Sequence, residues 1–216
     1  MTPLVIATAA VFAVIGAIAE RVASFWPADE ARREPPGART VAVAVLAGLG
    51  AGAVAWRSTL PLWVTLAYLA FLAPMVFLAA TDLEQRRLPH VLLDPVILAS
   101  LLFVPFNPAV KPLDAIIGAA VALVFLGMTG LIIRGGVAMG DLYLIVPIGL
   151  VLGWPAIFTA IFLGALLSAV VGIALLVTRR AGMRSYIPFG PFLVAGLVLA
   201  LILDPALLGP LAVIAT

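Results

Sequence analysis

Apolar segments long enough to cross a lipid bilayer occupy most of this 216-residue chain. The hydrocarbon core of a bilayer is about 30 Å thick, so a spanning helix needs about 20 predominantly apolar residues. Hydrophobic residues make up 65% of the sequence and charged residues only 10%. A soluble domain is about half apolar and about a quarter charged. The chain is therefore predicted to be an integral membrane protein.

The apolar segments predict an all-α fold, a bundle of about eight transmembrane helices. Their ranges are 2–23, 40–56, 61–81, 90–106, 113–134, 141–153, 155–177 and 188–209. The second, fourth and sixth segments are short, and turns rich in Pro, Gly and Ser separate neighbouring segments. We expect residues 1–216 to form a single membrane domain, in which 24–39 is a short polar loop.

The basic residues are divided unequally between the two sides of this predicted bundle. The loops after the odd-numbered spans hold ten of the 12 Lys and Arg residues, and the other side holds Arg57 and Lys111. The positive-inside rule places the arginine-rich side in the cytoplasm, and both termini are then expected outside. The first span lacks a preceding positive charge and is followed by Arg21, which favours a retained helix over a cleaved signal peptide.

Composition excludes several kinds of site. The basic residues lie in short loops and form no patch, so the net charge of +2 does not indicate nucleic-acid binding. The chain has no cysteine and a single histidine, His90, which excludes Cys-type and multi-histidine metal sites. We expect no metal and no cofactor. Membrane lipids are expected partners, because juxtamembrane basic residues attract anionic headgroups.

Two aspartates differ from the other acidic residues in their predicted placement. Asp82 ends the third span and Asp141 begins the sixth, so both lie on the cytoplasmic side at similar depth. Acids at membrane depth usually face the bundle interior or a water-filled cavity. Two close carboxylates share one proton, so one can act as a base and the other as an acid, as an aspartic protease requires. An equally weighted interpretation is that each aspartate merely caps a helix, because Asp is an ordinary helix-start residue.

Three stretches together resemble the aspartic prepilin peptidases, the GxGD-type membrane proteases of type IV pilus and type II secretion systems. The family's first-aspartate motif resembles "TDLEQRRLPHVLLDP" at 81–95, its second resembles "AMGDLYL" at 138–144, and its late segment resembles "RSYIPFGPFLVAG" at 184–196. The resemblance implies that Asp82 and Asp141 are the catalytic pair. It also implies that Gly140 matches the glycine before the second catalytic aspartate.

The resemblance implies an aspartyl endopeptidase at the cytoplasmic face of the bacterial inner membrane. Such an enzyme cuts the short basic leader from prepilins or pseudopilins, just before their apolar helix, and pilus or secretion machinery are possible further partners. Glu84 is a candidate contact for the basic leader, as are Asp94 and Glu34. An interpretation of Glu84 as a solvated loop charge beside its arginine neighbours has at least equal weight. Pro188 and Gly190 either shape the active site or simply begin a span.

The chain departs from the family pattern at several positions. Ala138 replaces the first glycine of the second motif, Tyr143 replaces its usual lysine, and His90 replaces the usual Asn or Asp after the proline. We interpret His90 mainly as a residue of a helix-start loop. Many bacterial members carry a four-cysteine zinc loop and N-methylate the new N-terminus with S-adenosylmethionine. The cysteine-free segment 24–39 stands in that place, which makes N-methyltransferase activity doubtful.

Other functions remain open from the sequence. A GxGD protease could act on general signal peptides or on other membrane segments, although "IPFGPF" favours the prepilin branch. A proton-coupled transporter would place its acids near the middle of the bilayer, often between repeated halves. Asp82 and Asp141 lie at the predicted edge instead, and no repeat is evident. A non-catalytic subunit of a secretion machine would not need both aspartates.

Overall fold

The computed structural model describes residues 2–26, 35–132, 137–179, 182 and 187–208. This part of the chain is helical, without strands, and confirms the prediction of an all-α membrane bundle. Eight main helices follow one another as α1 Thr2–Ala23, α2 Ala38–Arg57, α3 Leu62–Gln85, α4 His90–Phe103, α5 Pro112–Ile132, α6 Met139–Leu152, α7 Ala156–Val177 and α8 Gly190–Leu203. A 3₁₀ turn, Val104–Phe106, extends α4, and a short helix α9, Pro205–Leu208, follows α8. The predicted loop residues 27–34 and the glycine-containing residues 133–136 lie outside the described residues.

Five of these helices, α1, α2, α3, α5 and α7, are long and apolar enough to cross a membrane, whereas α4, α6 and α8 are shorter apolar helices. Two predicted lengths were wrong. The second span is not short, because α2 begins at Ala38 and includes Arg39 and Thr40, whose side chains bind acids on α3 and α1. The last main helix is shorter than predicted, because Asp204 adopts an extended conformation before Pro205. Proline disfavours the helical conformation in the residue that precedes it.

The packed core draws on all eight main helices. Two of the short helices are the most enclosed: α6 buries nine of its 14 residues and α8 buries seven of its 14. These two helices are apolar on every face, as expected for helices buried within a bundle. Their positions therefore depend on shape, since hydrophobicity does not distinguish one face from another.

Glycines set the closest contacts of α6 and α8. A Cβ atom at Gly149 of α6 would lie 2.5 Å from the Cα of Ala119 on α5, and one at Gly196 of α8 would lie 2.1 Å from the carbonyl oxygen of Ala160 on α7. Real side-chain carbons do not approach so closely, so only glycine permits this packing. Small residues generally allow helices to approach closely in membranes. These two contacts fix how α6 and α8 lie against their neighbours.

Polar side chains join the elements at one end of the bundle. The hydroxyl of Tyr68 on α3 donates a hydrogen bond of 3.1 Å to Oδ1 of Asn107, and Nδ2 of Asn107 donates one of 3.4 Å to the carbonyl oxygen of Val151 on α6. The backbone N–H of Thr59 bonds to the carbonyl oxygen of Leu208, 2.8 Å away. We call this the far end, and we call the end where α3 finishes and α4, α6 and α8 begin the aspartate end.

Candidate active site

Asp82 lies in the last turn of α3, at the aspartate end. Its side chain is buried, with the residue 6% exposed. Its Oδ2 atom accepts a hydrogen bond of 3.0 Å from the backbone N–H of Gly190, the first residue of α8. The helix ends one turn later at Arg86, whose backbone is left-handed (φ 54°) and whose N–H donates to the carbonyl oxygen of Asp82, 2.9 Å away. A residue in the left-handed conformation commonly ends a helix. Because α3 ends here, Asp82 lies near the end of the bundle.

Asp141 is the third residue of α6 and is 2% exposed. Its Oδ2 atom accepts a hydrogen bond of 3.3 Å from the backbone N–H of Ala138, which precedes the helix. The structure thus shows that Asp141 caps the start of α6, as one of its two interpretations predicted. Capping alone is a surface role, whereas this carboxylate is enclosed by the bundle.

One cavity of about 340 Å³ contains both carboxylates. It lies between the end of α3, the turn into α4 and the start of α6. Its lining residues are Asp82, Arg86, Arg87, Leu88, Pro89, His90, Ala138, Met139, Gly140, Asp141 and Tyr143. The charge of Asp82 also acts on Asp141 across this cavity. The fold therefore brings together the two aspartates, which are separated by 58 intervening residues in the sequence.

Gly140 lies on the wall of this cavity, against Leu88. A Cβ atom at Gly140 would stand 2.9 Å from Cδ1 of Leu88. His90 and Tyr143 form another part of the wall, with their rings edge to face at a centroid distance of 5.0 Å. His90 is the first residue of α4, as its interpretation as a helix-start residue predicts, and its Nδ1 atom lies 3.0 Å from Oδ1 of Asp94.

The two residues predicted in the late motif occupy different positions. Gly190 touches the site directly through its N–H, and a Cβ atom there would lie 2.6 Å from Oδ2 of Asp82. Pro188 is half-buried beside this contact and does not line the cavity. The basic beginning of the late motif, 184–186, lies outside the described residues.

Two of the three candidate leader contacts, Glu84 and Asp94, are described and do not line the cavity. Glu84 forms an ion pair with Arg39 of α2, and its side chain is 13% exposed while that of Arg39 is 40% exposed. Glu84 is therefore not a freely solvated loop charge, which was one of its two predicted roles. It does not line the cavity either. Asp94 is exposed and pairs with His90. Glu34 lies outside the described residues.

This arrangement can perform general acid–base chemistry. Two buried carboxylates in one cavity can hold a single proton between them, with one side chain ready to accept a proton and the other ready to donate one. Among the described residues, no group of three or more His, Asp or Glu side chains is placed to hold a metal ion. The two carboxyl groups of this cavity can thus transfer protons to and from a bound molecule or water.

Comparisons with known proteins point to one family. The type IV leader peptidase family matches residues 69–173, a range that includes both aspartates. The chain is 34% identical over 137 residues to a prepilin leader peptidase/N-methyltransferase of Bacillus subtilis (strain 168), an alignment covering 60% of this chain and 52% of that protein. It is also 34% identical over 167 residues to the protein of the same name from Aeromonas hydrophila, covering 74% and 56%. This chain belongs to the type IV leader peptidase family.

The family assignment confirms the resemblance found in the three motifs. A third relative, a prepilin leader peptidase/N-methyltransferase of Burkholderia pseudomallei (strain K96243), is 32% identical over 170 residues, or 76% of this chain and 54% of that protein. The chain spans about half the length of the curated relatives it matches. Solved structures provide no match.

Sequence reasoning missed the positions of two arginines in this candidate site. The sequence places Arg86 and Arg87 only among the ten basic residues of the predicted cytoplasmic side, whereas in the structure both line the cavity. The positive charge of Arg86 offsets part of the cost of burying an ionised carboxylate at Asp82. The place of the two arginines in the sequence could have indicated this position, since they lie between Asp82 and Pro89, the residue before α4.

Proposed function

We propose that this chain is an aspartic endopeptidase that removes the leader peptide from prepilins or pseudopilins. Asp82 and Asp141 are its catalytic pair. The proposal rests on one observation above all: these two aspartates, from α3 and α6, are buried and line the same cavity. A pair of acids that merely flanked two helices would have no reason to line one cavity.

The reaction follows from two carboxyl groups that hold one proton between them. The ionised carboxylate takes a proton from a water molecule, and the water oxygen attacks the carbonyl carbon of the scissile peptide. The protonated carboxyl gives its proton to the carbonyl oxygen, which forms a neutral tetrahedral intermediate. When the C–N bond breaks, the departing nitrogen takes a proton from one carboxyl, and a hydroxyl of the gem-diol gives its proton to the other carboxylate as the C=O bond of the new carboxylic acid forms. The pair then holds one proton again.

The surrounding residues have proposed supporting roles. Gly140 leaves room for a peptide backbone at the cavity wall beside Leu88, and Gly190 lets the backbone of α8 approach the carboxylate of Asp82. Pro188 shapes the turn that leads into Gly190. Glu84 is a proposed leader contact, in which a basic side chain of the leader takes the place of Arg39 at its carboxylate.

The active site is proposed to face the cytoplasm of the bacterial inner membrane. Four described arginines, Arg21, Arg39, Arg86 and Arg87, belong to the aspartate end or the loops beside it, and the positive-inside rule assigns such an end to the cytoplasm. The proposed activity is cleavage without N-methyl transfer, because the chain has no cysteine with which to build the zinc loop found in many methylating members.

The test uses purified protein in lipid vesicles with a substrate that has a basic leader, a glycine at the cleavage point and a following apolar helix. Wild type is compared with Asp82→Asn and Asp141→Asn, each checked for folding. Asp114→Asn is the matched control, because Asp114 begins α5 at the opposite end of the bundle. We expect wild type and the control to cut after the glycine, as read by mass spectrometry, and both site variants to lose at least about 1,000-fold in rate.

A folded wild type that leaves several such substrates uncut would overturn the prepilin assignment. Cleavage of a general signal peptide or of another membrane segment by the same protein would then point to a different substrate within the same chemistry. Full activity in either Asn variant would overturn the two-aspartate mechanism itself.

A further inference from the structure

A second cavity, of about 480 Å³, runs along the side of the bundle between α2, α3 and α8. Its lining is almost wholly apolar, and exposed apolar side chains of α2, including Leu46 (70%) and Leu49 (65%), stand beside it. It is thus a trough in the face that the bundle turns to lipid. We call it the α2–α8 groove, and the residues that define it here are Ala47, Gly50, Ala79, Leu83, Ala195 and Val198.

The groove leads to the catalytic carboxylates. On α3 its lining ends at Leu83, the residue directly after Asp82. On α8 its lining begins at Pro191, directly after Gly190, whose N–H is bonded to Asp82. The first turn of α8 is therefore the rim shared by the groove and the catalytic cavity. A chain leaving the groove at this end has to cross only that turn to reach the aspartates.

The size of the groove suits part of a helix. It extends along α8 from Pro191 to Ile202, and at a rise of 1.5 Å per residue this is about 16 Å, or three helical turns. That is about half the hydrocarbon thickness of a bilayer. At the floor of the groove Gly50 of α2 faces Val198 of α8. The two helices are close there, since a Cβ atom at Gly50 would lie 3.2 Å from Cγ1 of Val198. Such small residues let another helix approach closely.

The end of the groove nearest the aspartates carries both acidic and basic side chains. Glu84 follows Leu83 and pairs with Arg39, and Oε2 of Glu20 accepts a hydrogen bond of 2.8 Å from the hydroxyl of Thr40. The proposed substrates have basic residues before the scissile bond and an apolar helix after it. Carboxylates at the end of an apolar trough match that order of basic and apolar segments.

We propose that the α2–α8 groove binds the first three turns of the apolar helix that follows the scissile bond of the substrate. This inference rests on the proposed function. When the scissile bond lies in the cavity at Asp82 and Asp141, the substrate helix that follows it begins within one turn of the two aspartates. This helix then lies against the lipid-facing side of the bundle. The α2–α8 groove is a concave apolar surface that begins there, so the helix lies in it and the peptide crosses the first turn of α8.

Cysteine cross-linking tests this placement directly, because the chain has no cysteine of its own. Gly50→Cys places a thiol in the groove, and Gly127→Cys is the matched control on α5, where a Cβ atom would meet nothing within 4 Å. Both are made with Asp82→Asn, so that the substrate is held without being cut. Counting from Arg39, which pairs with Glu84, Gly50 lies 11 residues deeper along α2, about 16 Å. The third turn of the substrate helix is the expected partner.

Substrates with a single cysteine in each of the first five turns after the cleavage point are mixed with these variants in vesicles of phosphatidylethanolamine and phosphatidylglycerol. We expect Gly50→Cys to cross-link at least about tenfold more than Gly127→Cys, with a maximum at the third turn. An equal yield from the two variants, or an equal yield with an apolar helix that has no leader, would overturn the proposal.

A kinetic measurement keeps the two proposals separate. Gly50→Leu, which fills the groove, should raise KM for the full substrate about tenfold, and Gly127→Leu should leave KM unchanged. If wild type cleaves the substrate and Gly50→Leu does not change KM, the proposed helix site in the groove is wrong and the proposed peptidase activity is retained. This is the result expected if lipid tails fill the groove. Selective cross-linking without any cleavage would instead support the helix site and overturn the peptidase.

Discussion

The backbone N–H of Gly190 donates a hydrogen bond of 3.0 Å to Oδ2 of Asp82, across 108 residues of sequence. This bond joins the start of α8 to the end of α3. It holds one carboxylate of the proposed pair in a fixed position and stabilises its ionised form. The late "IPFGPF" motif therefore contributes to the site through its backbone.

The contact with Gly190 predicts a large effect from the smallest substitution. In Gly190→Ala the new Cβ atom would lie 2.6 Å from Oδ2 of Asp82, so the carboxylate or the helix has to move. A displacement of about 1 Å costs about 100-fold in rate. Peptide cleavage measured beside thermal unfolding should show that loss with the fold retained. Gly127→Ala, placed in open space, is the control, and equal activity of the two variants would remove Gly190 from the site.

The two aspartates should act as one unit. Each of Asp82→Asn and Asp141→Asn is expected to lower the cleavage rate at least about 1,000-fold, since each removes one half of a shared proton transfer. The double variant should lose no more than about a further tenfold, because groups that act together are not additive. Single-turnover rates of all four proteins measure this. Losses that multiply would mean that the aspartates act independently.

Packing between α5 and α6 should control both stability and activity. In Gly149→Ala the added carbon would lie 2.5 Å from the Cα of Ala119, a backbone atom that cannot turn aside. Overpacking of this kind costs about 1–3 kcal/mol. Because α6 also carries Asp141, the rate should fall with the unfolding midpoint in detergent. Gly172→Ala, whose Cβ would meet Ile187 at an ordinary 3.4 Å, should change neither quantity.

The ion pair between Arg39 and Glu84 can be separated from the proposed role of Glu84 in leader binding. Since Arg39 is 40% exposed, solvent screens the pair and their coupling energy should be about 1 kcal/mol or less. A double-mutant cycle with Arg39→Gln and Glu84→Gln in thermal unfolding measures it.

Leader binding adds a second readout for the same variants. If Glu84 contacts the leader, Glu84→Gln raises KM for a substrate with a strongly basic leader more than for one whose leader is neutral. Arg39→Gln serves as the control, because it frees the Glu84 carboxylate and should lower KM for the basic substrate. Equal KM values for both leaders in all variants would limit Glu84 to a structural role.

The far end of the bundle should affect stability without affecting catalysis. Tyr68→Phe removes the hydroxyl that donates to Asn107, while Oδ1 of Asn107 keeps the N–H of Ala109 at 3.1 Å. We expect a loss of about 1 kcal/mol in unfolding free energy and a cleavage rate within twofold of wild type. Asn107→Ala, which also loses the bond to Val151, should cost more. A rate that fell without any loss of stability would contradict this separation.

Much of the site could be predicted because its signals are local. The apolar stretches located the helices, and a carboxylate at the edge of a span is costly enough to indicate a buried or functional acid. Asp82 and Asp141 were found in this way, and the alternation of spans placed them on one side. Arg86 and Arg87 were misjudged, because a charge in a loop gives no local sign of whether it faces a cavity or lipid headgroups.

Sequence by itself determined the class of the fold, the order of the helices, the two carboxylates and the family. Only the tertiary structure decided that Gly190 contacts Asp82, that Arg39 pairs with Glu84, and that α6 and α8 lie where Gly149 and Gly196 allow. The reason is physical. In a soluble protein the apolar face of a helix shows which side is buried, but in lipid nearly every face is apolar. Shape and close approach then choose the neighbours, and these depend on residues far apart in the chain.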